Sequence, residues 1–376
     1  MKYVLFSLSA FVFYAIFYFA KVNGLDALGQ QTIASGKLPG LNEPLRNFYT
    51  GVEPIDRILT LLTVFFYPTL DGESPGLFLH SIGFSGTFGA AWTLVVLESW
   101  RKGNAGTVAA YPMLFGLTAQ VLTFAFATPL FLGLQLGSSI TARRPNADNI
   151  RIPRAVLAVL PVIFVVGFMM PGHAMALPAP EVISVDWKQI AIAIWQPWPA
   201  YVSILSTIAY FVLSPFLSEN TRASMSGLRW VYAFAFLNAS VTHIVSWTVS
   251  LATVLTPGLF QDRFVESLHP AKVFEIPLPW SGLKVDSIAQ GVHAFLRWDY
   301  LIGSAGVLVW ALTLYVVAHR QLLNNVSWTS LLVKIGVLTV LAGPTGAAVE
   351  LMWERDELVF SETGESQRVT KAKKSS

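Results

Sequence analysis

The chain has 376 residues, of which 54% are hydrophobic and 12% charged. A soluble domain carries about 25% charged residues, so this composition argues against a water-facing fold. The formal net charge of +3 rests largely on tail lysines Lys371, Lys373 and Lys374, and the basic residues do not interleave with aromatics on one face, which argues against a nucleic-acid partner. There is no cysteine, which excludes disulfides, thiolate metal sites and cysteine nucleophiles.

A membrane-crossing helix needs about 20 mainly apolar residues. The first such run is Tyr3 to Ala20. No small-x-small cleavage site follows, so it reads as an uncleaved anchor. Lys21 to Pro54 is polar, rich in Gly and Pro, and reads as a loop. Ile55 to Leu70 is apolar but short and opens on Asp56-Arg57, so it either spans or lies in the interface. Clear spans follow at Leu77 to Leu97, Val108 to Leu136, Ala155 to Met170, Trp198 to Leu217, Trp230 to Leu255, Tyr300 to Ala318 and Leu331 to Trp353. The predicted fold class is therefore all-α, a multi-pass transmembrane helical bundle of eight or nine spans. Residues 1–355 form its membrane domain, and residues 356–376 a disordered polar C-terminal tail. Pro129, Pro161, Pro215 and Pro344 predict kinks within spans. Trp and Tyr gather near span ends, as interfacial anchors do. The loop Pro257 to Arg297 predicts an ordered element over one mouth of the bundle.

The loop balance of lysine and arginine is nearly even and does not orient the chain. Lys373-Lys374-Ser375-Ser376 has the form of a dilysine retrieval signal, an address read by a cytosolic receptor. It predicts a cytosolic tail and residence in the endoplasmic reticulum; the alternative is a plain solubilising tail.

An ionisable side chain inside a span costs at least a few kcal/mol, so each needs a reason. The candidates are Glu53, Asp56, His80, Glu98, His243, Asp299 and Glu350. Each also has a structural reading. Glu98 precedes Arg101 and Asp299 follows Arg297, so plain ion pairing accounts for both. His243 fits a core histidine bonded to a backbone carbonyl, and Asp56-Arg57 fits a capping pair after Pro54. The functional reading joins these acids to an aromatic content of 13%. Aromatic faces stabilise cations by about 0.5–2 kcal/mol each, and an apolar pocket keeps a carboxylic acid protonated and fit to donate. That combination suits acid-initiated carbocation chemistry on a lipid; it also occurs in transporters and lipid-binding bundles. Aspartate-rich DDxxD and DxDD motifs, phosphate loops, HExxH pairs and GxSxG elbows are all missing, which argues against a metal.

Three segments carry a resemblance: Tyr49-Thr50-Gly51-Val52-Glu53-Pro54-Ile55-Asp56-Arg57, Glu98-Ser99-Trp100-Arg101-Lys102-Gly103-Asn104, and His293-Ala294-Phe295-Leu296-Arg297-Trp298-Asp299-Tyr300. From about Gly40 to Trp353 the chain resembles the fungal membrane-bound terpene cyclases typified by the ascofuranone-pathway cyclase. The resemblance implies an enzyme of terpenoid or meroterpenoid secondary metabolism acting on a lipophilic substrate with an epoxidised, farnesyl-type prenyl chain. An acid protonates the terminal epoxide, the cation cyclises, and a base or an oxygen ends the reaction, with no cofactor and no metal. On the chemistry above, Asp299 and Glu98 are the first candidates for acid and base, then Glu53 and Asp56. Trp298, His80, His243 and Phe295 are the candidate substrate contacts. Arg297 must turn away from Asp299 for that acid to donate. A membrane lipid isomerase, or a transporter or accessory protein of a biosynthetic pathway, remains the alternative; the inverted repeats common in transporters are not visible.

Overall fold

The computed structural model describes residues 1–38, 41–218 and 221–375, with backbone alone for 221–223 and 362–375. Among the described residues there is no strand. The helices start and stop where local chemistry dictates. α1 (Lys2–Asn23) ends at Gly24 with φ 103°, a left-handed position suited to glycine. After α2 (Leu25–Ser35) and a loop come α3 (Glu53–Phe66) and α4 (Pro75–Trp100), each with a proline in its first turn, where the missing N–H costs nothing. α5 (Pro112–Leu122) and α6 (Phe124–Ser138) are followed by α7 (Arg154–Ala176), α8 (Val185–Trp195), α9 (Trp198–Leu213) and α10 (Thr221–Leu255). Two short helices, α11 (Asp262–Ser267) and α12 (Pro270–Phe274), precede α13 (Ile288–Leu323) and α14 (Trp328–Ser375).

Among the described residues, six helices are long and apolar enough to cross a membrane: Lys2–Asn23, Arg154–Ala176, Trp198–Phe216, Ser224–Leu255, Ile288–Leu323 and Trp328–Ser361. Their outer faces leave Phe211, Phe216 and Val340 70–80% exposed, a perimeter made for lipid rather than water. The chain is thus a multi-pass membrane protein, with fewer spans than the eight or nine predicted. The difference has three causes. α3 has only 14 residues. The single span expected over Val108 to Leu136 is two short helices broken at Thr123. α4 is long enough at 26 residues, but 17 of them are buried. A helix surrounded by protein needs no apolar perimeter, and α4 accordingly carries Gly, Ser, Thr and His.

α4 is the axis of the bundle. It packs along α10, which packs on α14; α14 packs on α13, α13 on α6, and α6 on α1. Gly86 permits the first contact: a Cβ there would sit 1.9 Å from the Thr242 hydroxyl and 2.6 Å from the Asn238 carbonyl. Such close helix contact through small residues is the usual device where lipid removes the hydrophobic drive. The loop expected to be ordered holds α11 and α12, tied to α10 by Trp247 stacking on Phe274 at 4.1 Å and by the Ser250 hydroxyl donating to the Leu268 carbonyl.

The tail was expected to begin at Asp356. α14 continues through it, and Arg355, Asp356, Val359 and Phe360 are buried. Of the dilysine segment, the Lys373 and Lys374 side chains and Ser376 lie outside what the structure describes.

The α5–α6 break determines how α13 packs. Thr123 has φ 92°, a costly conformation for a β-branched residue. Gly303 of α13 lies against Phe124, so that a Cβ would come within 2.2 Å of the ring. Gly303→Ala should therefore destabilise the fold by about 1–3 kcal/mol through overpacking. Gly336, with nothing within 4 Å of its Cβ position, should accept alanine without loss. Thermal melting of both variants in detergent micelles tests this; equal midpoints would remove Gly303 from the packing argument.

Candidate active site

The buried carboxylates fall into three environments. Glu98, at the end of α4, is fully buried. The Arg101 guanidinium donates to it at 2.5 Å, and Arg355 lies 3.5 Å away. Asn104, Gln135 and Thr141 donate to its other oxygen at 3.1–3.2 Å. Arg101 also pairs with Asp356 at 2.8 Å, Arg355 pairs with Asp356 at 3.0 Å, and the Tyr232 hydroxyl donates to Asp356 at 2.8 Å. The result is a closed network of two acids and two guanidiniums with no net charge, joining α4, α6, α10 and α14. Every oxygen of Glu98 is occupied, so it has the surroundings of a structural anion, the ion-pairing alternative foreseen from its spacing to Arg101.

Asp56 is buried at the start of α3. The Thr50 amide and hydroxyl donate to it at 2.7 and 2.8 Å, and the Gly51 amide at 3.1 Å. Burial pushes its carboxyl up, but these hydrogen bonds pull further and hold it below the ordinary carboxylate range. Its partner is thus the Thr50–Gly51 turn and not Arg57. Glu53 is exposed in the first turn of the same helix, away from the interior.

Asp299 differs from both. It is 5% exposed, and its Oδ1 accepts the Ala125 amide at 2.6 Å. Its other polar neighbours are the Thr123 hydroxyl and the Phe124 amide; no lysine or arginine pairs with it among the described residues. The carboxyl therefore sits at the N-terminus of α6, where free amides and the helix dipole meet it. Thr123 caps the same terminus by accepting the Phe126 amide at 3.1 Å. Arg297 turns away, donating to the Lys272 and Val273 carbonyls of α12 and to His293. Asp299 and Glu98 meet α6 at Ala125 and Gln135, ten residues apart, or about 15 Å along the helix. They are not a hydrogen-bonded pair.

Beside Asp299 an aromatic belt crosses the interior. Phe124 contacts Phe84 and Phe88 at 5.8 and 5.1 Å. The belt continues through Trp198 and Phe168 to Trp195 and Phe66. Phe295 closes it on Phe65 at 4.9 Å. At the Phe84 end stand Tyr300, His80 and His293, with ring separations of 5.4–6.0 Å. Several buried polar atoms here have no partner: His80 Nδ1, Trp92 Nε1 and Trp198 Nε1. Such orphans are rare in native interiors and call for a specific explanation.

The remaining expected contacts divide. His80 and Phe295 belong to the belt. Trp298 faces the other way, its indole donating to the Pro277 carbonyl at 2.8 Å and its ring meeting Phe11 of α1. His243 hydrogen-bonds the Val340 carbonyl at 3.1 Å. Pro344 has no N–H to give that carbonyl, so His243 supplies the bond that the kink at Gly343 removes, as its structural reading anticipated. Sequence reasoning missed Thr123, Tyr300, Arg355 and Asp356. The adjacent opposite charges of Arg355-Asp356 directly after an apolar span were a usable signal; nothing around Thr123 announced the break.

Two open clefts, of about 880 and 720 Å³, lie elsewhere, near Trp100 and Tyr111 and beneath Pro257 to Lys272. Neither includes Asp299 or His80, so the site is assigned on its chemistry rather than on open volume.

Comparison with known proteins identifies the family. A family profile described as the CtvD domain matches residues 1–360. The chain belongs to the CtvD family. It is 34% identical over 361 residues to the terpene cyclase ctvD of Aspergillus terreus, covering 94% of this chain and 98% of that one. It is 31% identical over 364 residues to the terpene cyclase ascI of Acremonium egyptiacum, covering 92% and 90%, and 29% identical to the terpene cyclase penA of Penicillium crustosum, covering 93% and 94%. The expected kinship with fungal membrane-bound terpene cyclases is thereby established. No solved structure matches the chain.

For this CtvD-family chain the ion network yields a stability prediction. Arg355→Met should lower stability by about 3–5 kcal/mol, because two buried acids keep only one guanidinium. The melting midpoint of the unaltered protein should change little between 0.1 and 1 M salt, about a threefold change in Debye length, because buried pairs are poorly screened. A midpoint for Arg355→Met close to that of the parent would show that the network does not hold the bundle.

Proposed function

We propose that this chain is a membrane-bound terpene cyclase that opens a terminal epoxide on a prenyl chain with a proton from Asp299 and cyclises the resulting cation against the aromatic belt. The observation that carries the reading is Asp299 itself: buried, without a cationic partner, and one residue removed from Phe124, which forms part of the belt. Of the buried carboxylates, Glu98 and Asp356 are neutralised by Arg101 and Arg355, and Asp56 is held by its own turn. Asp299 is also held by two amides and a hydroxyl, but it alone of these four lies beside the belt, at Phe124.

The steps follow from that placement. The Asp299 carboxyl donates to the epoxide oxygen, and the C–O bond at the more substituted carbon breaks. The carboxylate left behind is stabilised by the Ala125 amide and the α6 terminus. Phe84, Phe88, Phe124 and Tyr300 present π faces to the cation, and the dry interior protects it from water. Among the described residues no three His, Asp or Glu side chains gather to hold an ion. The relatives' printed names support the reaction class; the epoxidised farnesyl-type substrate and the meroterpenoid setting are what the resemblance to that family implies.

Asp299→Asn keeps the shape and removes the transferable proton. Turnover of an epoxidised prenylated phenol in microsomes should fall 10²–10⁴-fold, the usual contribution of general acid catalysis, at unchanged protein level. Turnover within threefold of the parent would make Asp299 only a cap for α6. In the same host, a Lys373→Ser, Lys374→Ser double variant tagged at its N-terminus should leave the endoplasmic reticulum; unchanged imaging would assign retention to another feature.

A further inference from the structure

The proton given up by Asp299 must be recovered at the end of the reaction, and the acid is poorly placed to recover it. A cation advancing along a prenyl chain finishes several carbons from where it began. Asp299 stands behind Phe124 at the α6 terminus, whereas the far side of the Phe84–Phe124 contact is occupied by His80, one helical turn before Phe84 on α4.

The histidines nearby are not equivalent. His293 uses both nitrogens: Nε2 lies 3.1 Å from the Val273 carbonyl, and Nδ1 lies 3.3 Å from the Arg297 guanidinium. Arginine only donates, so Nδ1 accepts, Nε2 carries the hydrogen, and the ring has nothing left to offer. His80 is 5% exposed, and its Nδ1 is buried without any hydrogen-bond partner. Its ring lies 5.4 Å from His293, 5.9 Å from Tyr300 and 6.2 Å from Phe84, so rings surround it. With its hydrogen on Nε2, the imidazole holds a free lone pair at Nδ1 inside the belt.

We infer that His80 is the base that terminates cyclisation, taking the final proton at Nδ1. The inference rests on the reading of this chain as an epoxide-opening cyclase. When the last cation collapses to an alkene, a neighbouring C–H bond breaks, its electron pair becomes the new π bond, and the proton goes to Nδ1. When an internal hydroxyl closes the ring instead, its O–H bond breaks after the C–O bond has formed, and the proton goes to the same atom. The imidazolium then releases its proton to water as product leaves, and water reloads Asp299. One proton enters and one leaves, so the product is an isomer of the epoxide and no oxidant or reductant is needed.

The test compares parent, Asp299→Asn, His80→Gln and His80→Phe in microsomes with an epoxidised prenylated phenol, following epoxide consumption and product identity separately. His80→Phe fills the same aromatic space, so loss of packing is controlled. Asp299→Asn should stop consumption. The His80 variants should still consume epoxide while the parental product falls at least 10-fold and water-captured alcohols replace it. Parental product at the parental rate from either His80 variant overturns the inference. So does a His80 variant that accumulates yet stops consuming epoxide as Asp299→Asn does, because His80 would then serve the opening step. If the parent itself consumes no epoxide, the cyclase reading fails, which is a different outcome from failure of the base.

Discussion

The bundle depends on the pairing of Glu98 and Asp356 with Arg101 and Arg355. Four charges buried among apolar helices are tolerable only when each faces its opposite and the remaining lone pairs and protons find donors and acceptors. Here nearly all do, Arg355 Nε being left without one: Asn104, Gln135 and Thr141 complete Glu98, Tyr232 completes Asp356, the Ile150 carbonyl takes a proton of Arg101, and the Thr141 carbonyl takes one of Arg355. Trp310 donates in turn to Gln135 at 2.9 Å. Residues from α4, α6, α10, α13 and α14 thus meet at one point. Hydrophobic packing alone gives helices in lipid little reason to choose one rotation over another; a network with this many directional bonds has one solution.

Fixing that end of α6 fixes the other. The helix runs from Gln135 in the network back to Ala125, and there the chain breaks rather than continuing into α5. The break exposes amides that an unbroken helix would have used, and Asp299 and Thr123 take them. A carboxyl that meets a helix terminus needs no arginine to be tolerated, which separates Asp299 from Glu98. The strained φ of Thr123 is the cost of this arrangement, and strain of that kind, about 1–3 kcal/mol, persists where surrounding contacts over-determine it. Gly303 is one such contact, admitting the Phe124 ring against α13.

Much of this could be read from the sequence, and the unread part has physical causes. Apolar runs located the helices because the bilayer imposes length and composition. The short spacing from Glu98 to Arg101 revealed half of the ion network, and Pro344 announced the kink that His243 repairs. The count of spans failed where burial inside protein relaxed the demand for apolarity, as in α4, and where a helix broke without a breaker. Leu122-Thr123-Phe124 contains neither Gly nor Pro; its conformation is set by Asp299, 176 positions later, and no local window carries that information. The tail was cut at Asp356 because a charged residue after an apolar run usually meets water. Here its partner Arg101 lies 255 positions earlier. Trp298 was assigned to the site by adjacency to Asp299, yet neighbours on a helix point about 100° apart, and it faces α1.

Under the proposed mechanism, the same geometry separates gain and loss of a proton. Along α13, His293, Arg297 and Tyr300 follow at helical spacing and face α4 and α12, while Asp299 turns toward α6. Arg297, the nearest strong cation in sequence, is held by the Lys272 and Val273 carbonyls of α12 and by His293. It therefore neither neutralises Asp299 nor occupies His80. The carbonyls of short helix α12 bind a guanidinium that, under the proposed mechanism, would otherwise pair with the acid and repel the cation. An aromatic surface with a carboxyl behind one end and an imidazole whose Nδ1 lacks a partner at the other is then left without a free cation, as the proposed proton-initiated reaction requires.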